Sequence, residues 1–440
     1  NQFGAALGGP IVHDRTFFFF NYEGIRASQP QLGTFAVPTE LERRGDFSQT
    51  VVGNKALEIY NPFTTRMDPT RPGQFIRDPF PGGAIPASLI NPVAAGVLQK
   101  YVPLPNLGRN SYVTPAAPLD LFQLYSARVD HHISDRNRLF ARYSMTRLND
   151  QVYIGLNQLA PEINIYASAS LGLTSNLSPN LVLEVFGGWM TSRLKDQPPL
   201  QTDLAALGFA SSFVKLLNLK DAVPEFSISS GMNSILGANG RWDNEGPWSF
   251  NANLFHMRGR QSLKYGFQTE IYQTNFGNLG GNGRYTFNGS FTRGPDPFTT
   301  GANIGYGFAD FLLGTLSSGS LDSPDNAANT RRYYALYFQD DYRVTPRLSL
   351  NLGLRWDGWK GATERYNRIN RGWAFDAPNP IRDAATANYA LNPIPELSVD
   401  QFSRAIVGGL LFADPSHRES LPPHWNNFSP RLTGWAGGAH

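Results

Sequence analysis

Between residues 347 and 357 the sequence allows one backbone geometry. Leu348, Leu350, Leu352, Leu354 and Trp356 alternate without a break with Arg347, Ser349, Asn351, Gly353, Arg355 and Asp357. Successive side chains of an extended chain point to opposite faces, so a period of two gathers one set on each face, whereas a helix would scatter both sets around its circumference. One face is then wholly apolar and the other polar or small. Residues 333–344 repeat the pattern: Tyr334, Leu336, Phe338 and Tyr342 oppose Tyr333, Ala335, Tyr337, Gln339, Asp341 and Arg343. Val344-Thr345-Pro346 lies between the two runs, and a connection that short predicts a hairpin.

The same signature recurs along the chain. It predicts hairpins of 2–9 with 16–25, 121–131 with 138–148, 165–175 with 181–193 and 248–258 with 262–276. Further strands are predicted at 282–292 and 427–435, about a dozen in all. In 262–276 Leu263, Tyr265, Phe267 and Ile271 face away from Lys264, Gln268, Glu270 and Tyr272. Strands of about 9–13 residues exceed the soluble average of roughly 5–6 and match tilted membrane strands. The connections alternate short and long, with long segments at 38–120, 150–164, 195–246, 293–330 and 360–426. Several of these exceed the roughly 12–15 residues that compact domains tolerate. The expected fold is therefore all-β: a transmembrane antiparallel β-barrel of the outer-membrane type, with short periplasmic turns, long extracellular loops and an apolar face against outer-membrane lipid. A soluble sandwich or propeller would also bury an apolar face, but neither accounts for both the strand length and the alternation of loops.

Composition removes other classes. No apolar run approaches the roughly 18 residues of a helical span. Charged residues make up 17% of the chain, low against roughly 25% in soluble domains. Only seven of the 38 basic residues are lysine and they do not cluster, so no nucleic-acid stripe is present. With no cysteine there are no disulfides, thiolate metal sites or cysteine nucleophiles. Hydrolase elbows, P-loops, dinucleotide fingerprints and His-Glu-x-x-His helices are absent from the sequence. His131-His132 is the one histidine cluster, and neighbours on a strand point apart. Asp322, Asp325, Asn326 and Asn329 read as a solvated turn rather than a calcium loop, and Glu184 with Glu270 as lumen carboxylates rather than a glycosidase pair. No catalytic residue, metal ligand or cofactor is assigned.

The candidate binding residues lie on the polar faces. A wide barrel has a hydrated lumen, so Lys264, Gln268, Glu270, Gln339, Asp341, Arg355 and Asp357 keep their polarity there, able to touch a plug or a passing ligand. Trp242 and Trp359, with Tyr306, Trp373 and Trp425, fall in expected loops as aromatics able to stack on a sugar ring or a peptide side chain. Asn91-Pro92 followed by Val93, Val97, Leu98 and Tyr101 predicts a capped helix with proline at its first position. Phe308–Gly314 is a short apolar segment that fits helix or strand equally.

Motifs from end to end resemble one family. They are Asn1-Gln2-Phe3-Gly4, Leu7-Gly8-Gly9-Pro10-Ile11 and Thr16–Arg26 in the first hairpin, then Val37-Pro38-Thr39 and Arg44-Gly45-Asp46-Phe47-Ser48. Ile59–Phe63, Ile85-Pro86-Ala87, Phe308–Gly314, Tyr337-Phe338-Gln339-Asp340-Asp341-Tyr342 and Asn427–Leu432 follow in order. Together they resemble the Oar-like branch of the TonB-dependent outer-membrane receptors. The resemblance implies a 22-stranded barrel in the bacterial outer membrane, a plug domain of the same chain, and energy coupling to a TonB complex through an N-terminal segment. It also implies import of a small-molecule, sugar or peptide ligand captured on the extracellular loops. Residues 1–440 are expected to form part of one such barrel domain, about 12 of the 22 strands, with plug and C-terminal strands absent. Residue 1 is asparagine and no secretory leader follows, which predicts a processed chain or an internal piece. The alternative is a structural or adhesive barrel without energy-coupled import.

Overall fold

The computed structural model describes residues 1–156, 158–196, 200–217, 219–237, 240–278, 280–298, 305–420 and 424–436. Its main feature is a sheet of eleven strands. These are β1 (Gln2–Val12), β2 (Thr16–Ser28), β3 (Leu119–Ser134), β4 (Asn137–Gly155), β5 (Gln158–Ser178) and β6 (Leu181–Asp196). They continue as β7 (Arg241–Arg258), β8 (Gln261–Asn278), β9 (Asp325–Thr345), β10 (Leu348–Glu364) and β11 (His424–Ala436). Every strand pairs antiparallel with the next in chain order, and among the described residues β1 and β11 do not pair with each other.

Register gives each face a continuous identity. The row Tyr265–Phe338–Leu354–Pro430 crosses β8 to β11, and Phe267–Leu336–Trp356–Phe428 lies beside it. Leu336, Leu354, Phe428 and Leu432 are each at least half exposed. Contiguous apolar exposure of this kind has no place in water and fits hydrocarbon. The intervening rows, Gly266–Tyr337–Arg355–Ser429 and Gln268–Ala335–Asp357–Asn427, form the polar face. Crowding on that face marks it as the concave side: Ala335 is fully buried, and the Tyr337 ring presses against Gly266 so closely that no Cβ would fit there.

Three expectations need correction. The segment 150–164 is not a loop, because β4 and β5 stay paired from Asn137↔Ser175 out to Gly155↔Gln158. Nothing in a period-two pattern marks where lipid ends and water begins, so strands that rise above the membrane read as loop. The strand expected at 282–292 shrinks to Arg284–Phe287, which pairs parallel with Glu225–Ile228 and antiparallel with Ser318–Ser320 outside the main sheet. The edges of the expected loops 195–246, 293–330 and 360–426 also belong to strands, since β7 begins at Arg241, β9 at Asp325, and β10 runs to Glu364.

At one end of the sheet the connections are tight: 13–15, 135–136, 179–180, 259–260 and 346–347. At the other end lie 156–157 and the long connections 29–118, 197–240, 279–324 and 365–423. The first three of these long connections fold together into a cap with its own apolar core. Val37, Phe47, Ile59, Val97, Leu204, Ile235, Phe308, Phe311 and Leu312 are all essentially inaccessible within it. Two helices enter that core. In α1 (Pro92–Tyr101) the Asn91 side chain accepts from the Val93 N–H at 2.9 Å and proline occupies the first turn. The segment of ambiguous periodicity is helical, α2 (Gly307–Leu313), and ends at Gly314, whose φ of 69° suits a residue without a Cβ.

Polar side chains lock the loops together. The buried Asp310 carboxylate of α2 accepts from the Thr292 N–H at 2.9 Å, the Thr292 hydroxyl at 2.7 Å and the Phe291 N–H at 3.2 Å. The Arg77 guanidinium, from the first loop, donates to the carbonyls of Ser290, Phe291 and Arg293 in the third at 2.8–3.1 Å. The second loop joins through Asn233, whose N–H donates to the Ala36 carbonyl at 2.9 Å while its side chain accepts from the Ala36 N–H at 2.6 Å.

Candidate functional site

The inner wall of β7–β10 collects polar and aromatic groups around Tyr337. Its ring faces two cations, with Lys264 Nζ 5.5 Å and Arg355 Cζ 5.3 Å from the centroid, and Lys264 also lies 5.2 Å from the Phe255 ring. Each such contact contributes on the order of 0.5–2 kcal/mol depending on how dry it is. The Tyr337 hydroxyl donates to Asn253 Oδ1. Arg355 Nη2 donates to Gln268 Oε1 at 3.1 Å and to the Tyr333 hydroxyl at 2.6 Å. To reach Gln268 it must cross β9, and the residue below that crossing is Ala335, the one small side chain in its row. Above, the Tyr333 ring lies 4.7 Å from the ring of Trp359.

The predicted residues separate into three groups. Lys264, Gln268, Arg355 and Trp359 meet around Tyr337 and Tyr333, and Asp357 borders them, 3.9 Å from Arg355 Nε and bonded by Asn427 Nδ2 at 3.0–3.1 Å. Gln339 and Asp341 lie toward the tight-turn end, where Asp341 accepts from Gln339 at 3.3–3.4 Å and from Asn351. Glu270 occupies the row of Tyr333 and Trp359 on the same face. Trp242 stands apart: it lies on β7, not on a loop, with its ring over Gly277 and on the parity of Trp248 and Ile271. Trp359 is likewise a strand residue.

Of the other aromatics, Tyr306 is buried in the cap, 5.7 Å from Phe47, and is unavailable for stacking on a ligand. Trp373 stays half exposed in a two-stranded antiparallel sheet of Asn370–Trp373 with Leu410–Phe412. Trp425 falls on β11, and its side chain lies outside the described residues. The ligand-like groups not singled out in advance are Tyr333, Tyr337, Asn253 and Asn427. Alternation alone gives the face of Tyr333 and Tyr337; what it does not give is that a tyrosine, usable on either side of a membrane strand, would be the centre of the cluster. Among the described residues no three His, Asp or Glu side chains gather as a metal site. The wall thus gathers hydrogen-bonding and cation–π groups on one face of the sheet.

The family model of the outer membrane beta barrel domain matches residues 1–434. Three solved structures are similar at low identity. The outer membrane transporter YddB from Escherichia coli is 10% identical, with 83% of this chain and 35% of that chain covered and a TM-score of 0.44. The ferric-catecholate import receptor Fiu from E. coli K12, closed form, gives 9% identity, 98% and 46% coverage and a TM-score of 0.35. The siderophore receptor PiuA from Acinetobacter baumannii gives 8%, 83% and 41%, and 0.36. The chain thus spans less than half the length of each. No curated protein matches it.

Proposed function

We propose that this chain, which belongs to the outer membrane beta barrel domain family, forms part of a TonB-dependent, Oar-like transporter. It resides in the outer membrane, with the apolar face in lipid. The observation that carries the proposal is the stacking of functions along one axis: an interlocked loop cap at one end of the sheet and, below it, a concave wall of Lys264, Gln268, Arg355, Tyr337 and Trp359. A small-molecule, sugar or peptide ligand is captured at the cap end. It then passes the polar wall once the energised TonB complex has displaced the plug domain that fills the lumen. The wall residues hydrogen-bond in turn to plug and ligand, and no covalent step is involved. The series of motifs from Asn1 to Leu432 supports the Oar-like assignment over other barrels.

The test is direct binding of the purified periplasmic domain of TonB to the detergent-solubilised full-length protein. Saturable binding that strengthens when ligand is added is the expected result. No binding, together with a gene that encodes no plug upstream of the barrel, would leave a structural or adhesive barrel as the better account.

A further inference from the structure

We propose that a cleft on the outward side of β9 and β10, just above the apolar band, binds the phosphate groups of an outer-leaflet lipid headgroup. The cleft has a volume of about 920 Å³ and is walled by Arg332 and Lys360 from the strands and by Arg365, Arg371 and Arg418 from the following loop. Its orientation follows from register. Going up the outward parity, the paired positions are Phe338↔Leu354, Leu336↔Trp356, Tyr334↔Gly358 and Arg332↔Lys360, followed past a register shift by Thr330↔Thr363. The sequence of chemistry is apolar, aromatic, cationic. That is the order of hydrocarbon, interface and headgroup met when leaving a bilayer. A ligand in the lumen would instead face Tyr333 and Trp359, which lie on the opposite parity.

The charge in the cleft is not balanced from within. Its single carboxylate, Glu419, lies 3.3 Å from Lys360. Nearby Glu364 is taken by Arg368 at 3.0 Å, and Asp414 by His417 at 3.2 Å. Among the described residues Arg332, Arg365, Arg371 and Arg418 have no ion pair. Two of these arginines are held in place by neutral acceptors. Arg418 donates to Asn367 Oδ1 at 3.0 Å and to the carbonyls of Glu364 and Arg365, and Arg371 Nε donates to the Phe412 carbonyl at 3.2 Å. An arginine fork fixed by backbone oxygens, with no carboxylate on it, suits bidentate recognition of a phosphate.

The experiment uses the full-length protein in detergent micelles, titrated with bis-phosphorylated lipid A, with dephosphorylated lipid A of the same acyl chains, and with inositol hexakisphosphate as a soluble polyphosphate. Bis-phosphorylated lipid A should bind about tenfold or more tighter than the dephosphorylated form, the scale of one or two charge-assisted hydrogen bonds. The triple variant Arg332→Ser, Arg365→Ser, Arg371→Ser should lose that preference while retaining the heat-modifiable gel migration of a folded barrel. Inositol hexakisphosphate binding as tightly as lipid A, and losing affinity in the same variant, would keep the phosphate site but assign it to a soluble anion. Equal binding of the two lipids by the unaltered protein would overturn the proposal whether or not the variant folds.

Discussion

Arg355 reaches Gln268 because the residue between them on β9 is alanine; any longer side chain at position 335 would occupy the space the guanidinium crosses. Ala335→Leu should therefore separate Arg355 from Gln268 and overpack a fully buried position, at a cost of about 1–3 kcal/mol. The temperature at which the heat-modifiable band disappears should fall, and Ala335→Gly should lower it less. An adjacent pair on β10 separates the two faces more sharply. Leu350 shares its row with Gly434 on the lipid side, and Asn351 shares its row with Thr433 on the lumen side. Leu350→Arg puts a charge on the lipid face, at a cost that rises from about 0–1 kcal/mol near the interface to about 2–4 kcal/mol at the midplane, whereas Asn351→Arg leaves the charge in water. Assembly in the outer membrane should suffer in the first variant only. Single cysteines should agree: those at Leu350 and Leu352 resist water-soluble maleimides, and those at Asn351 and Arg355 react once the lumen is open. Equal labelling of both sets would refute the face assignment.

Among the elements, α2 shows how the cap is fastened. Burial pushes the Asp310 carboxyl up to about 6, while the hydrogen bonds from Thr292, Phe291 and Gly289 oppose the rise. The folded cap thus holds this proton more tightly than the unfolded chain, where the carboxyl titrates near about 3.9. Its contribution to stability is full below about pH 4, declines as pH rises through about 6, and is level above that, an overall change of about 3 kcal/mol for two pKa units. Amide exchange in Gly307–Leu313, corrected for its intrinsic pH dependence, should be faster at pH 7.5 than at pH 5. Asp310→Asn should abolish that difference. It should also open the cap at both pH values, because an amide nitrogen turned toward Thr292 or Phe291 leaves buried donors facing each other, at roughly 1–3 kcal/mol each.

The elements also divide by how they could be read in advance. β8 and β10 are legible because lipid on one side and water on the other write a period of two into the residues themselves, and α1 because Asn91-Pro92 is a local cap signal. The cap core is not legible in the same way. Val37, Ile235 and Phe311 come together from three separate connections, and no window of sequence contains their contact. Arg284–Phe287 alternates like a barrel strand and pairs elsewhere for the same reason: the pattern states that a strand has two faces, not which sheet it joins. The site shares this limit. The lumen parity of Lys264, Gln268 and Arg355 follows from alternation, but their meeting around Tyr337 depends on the register between strands.

For the whole molecule, the decisive feature is that the eleven-stranded sheet has two edges. Among the described residues β1 is bonded only to β2, and β11 only to β10. In water such an edge is an aggregation hazard; in hydrocarbon its N–H and C=O groups have no partner at all, at several kcal/mol for each group left unsatisfied. Along one β1-length edge that loss would outweigh the roughly 5–15 kcal/mol of net stability typical of a folded domain. Further strands of the same protein, continuing the meander from β11 and returning to β1, would remove both edges at once. Residues 1–440 expressed alone and refolded in detergent should accordingly give no heat-modifiable monomer, only aggregates or assemblies in which the edges of two copies pair. The full-length protein under the same conditions should give a heat-modifiable monomer. If residues 1–440 alone form a stable, heat-modifiable monomer, β1 and β11 must meet in the membrane, and the case for additional strands fails.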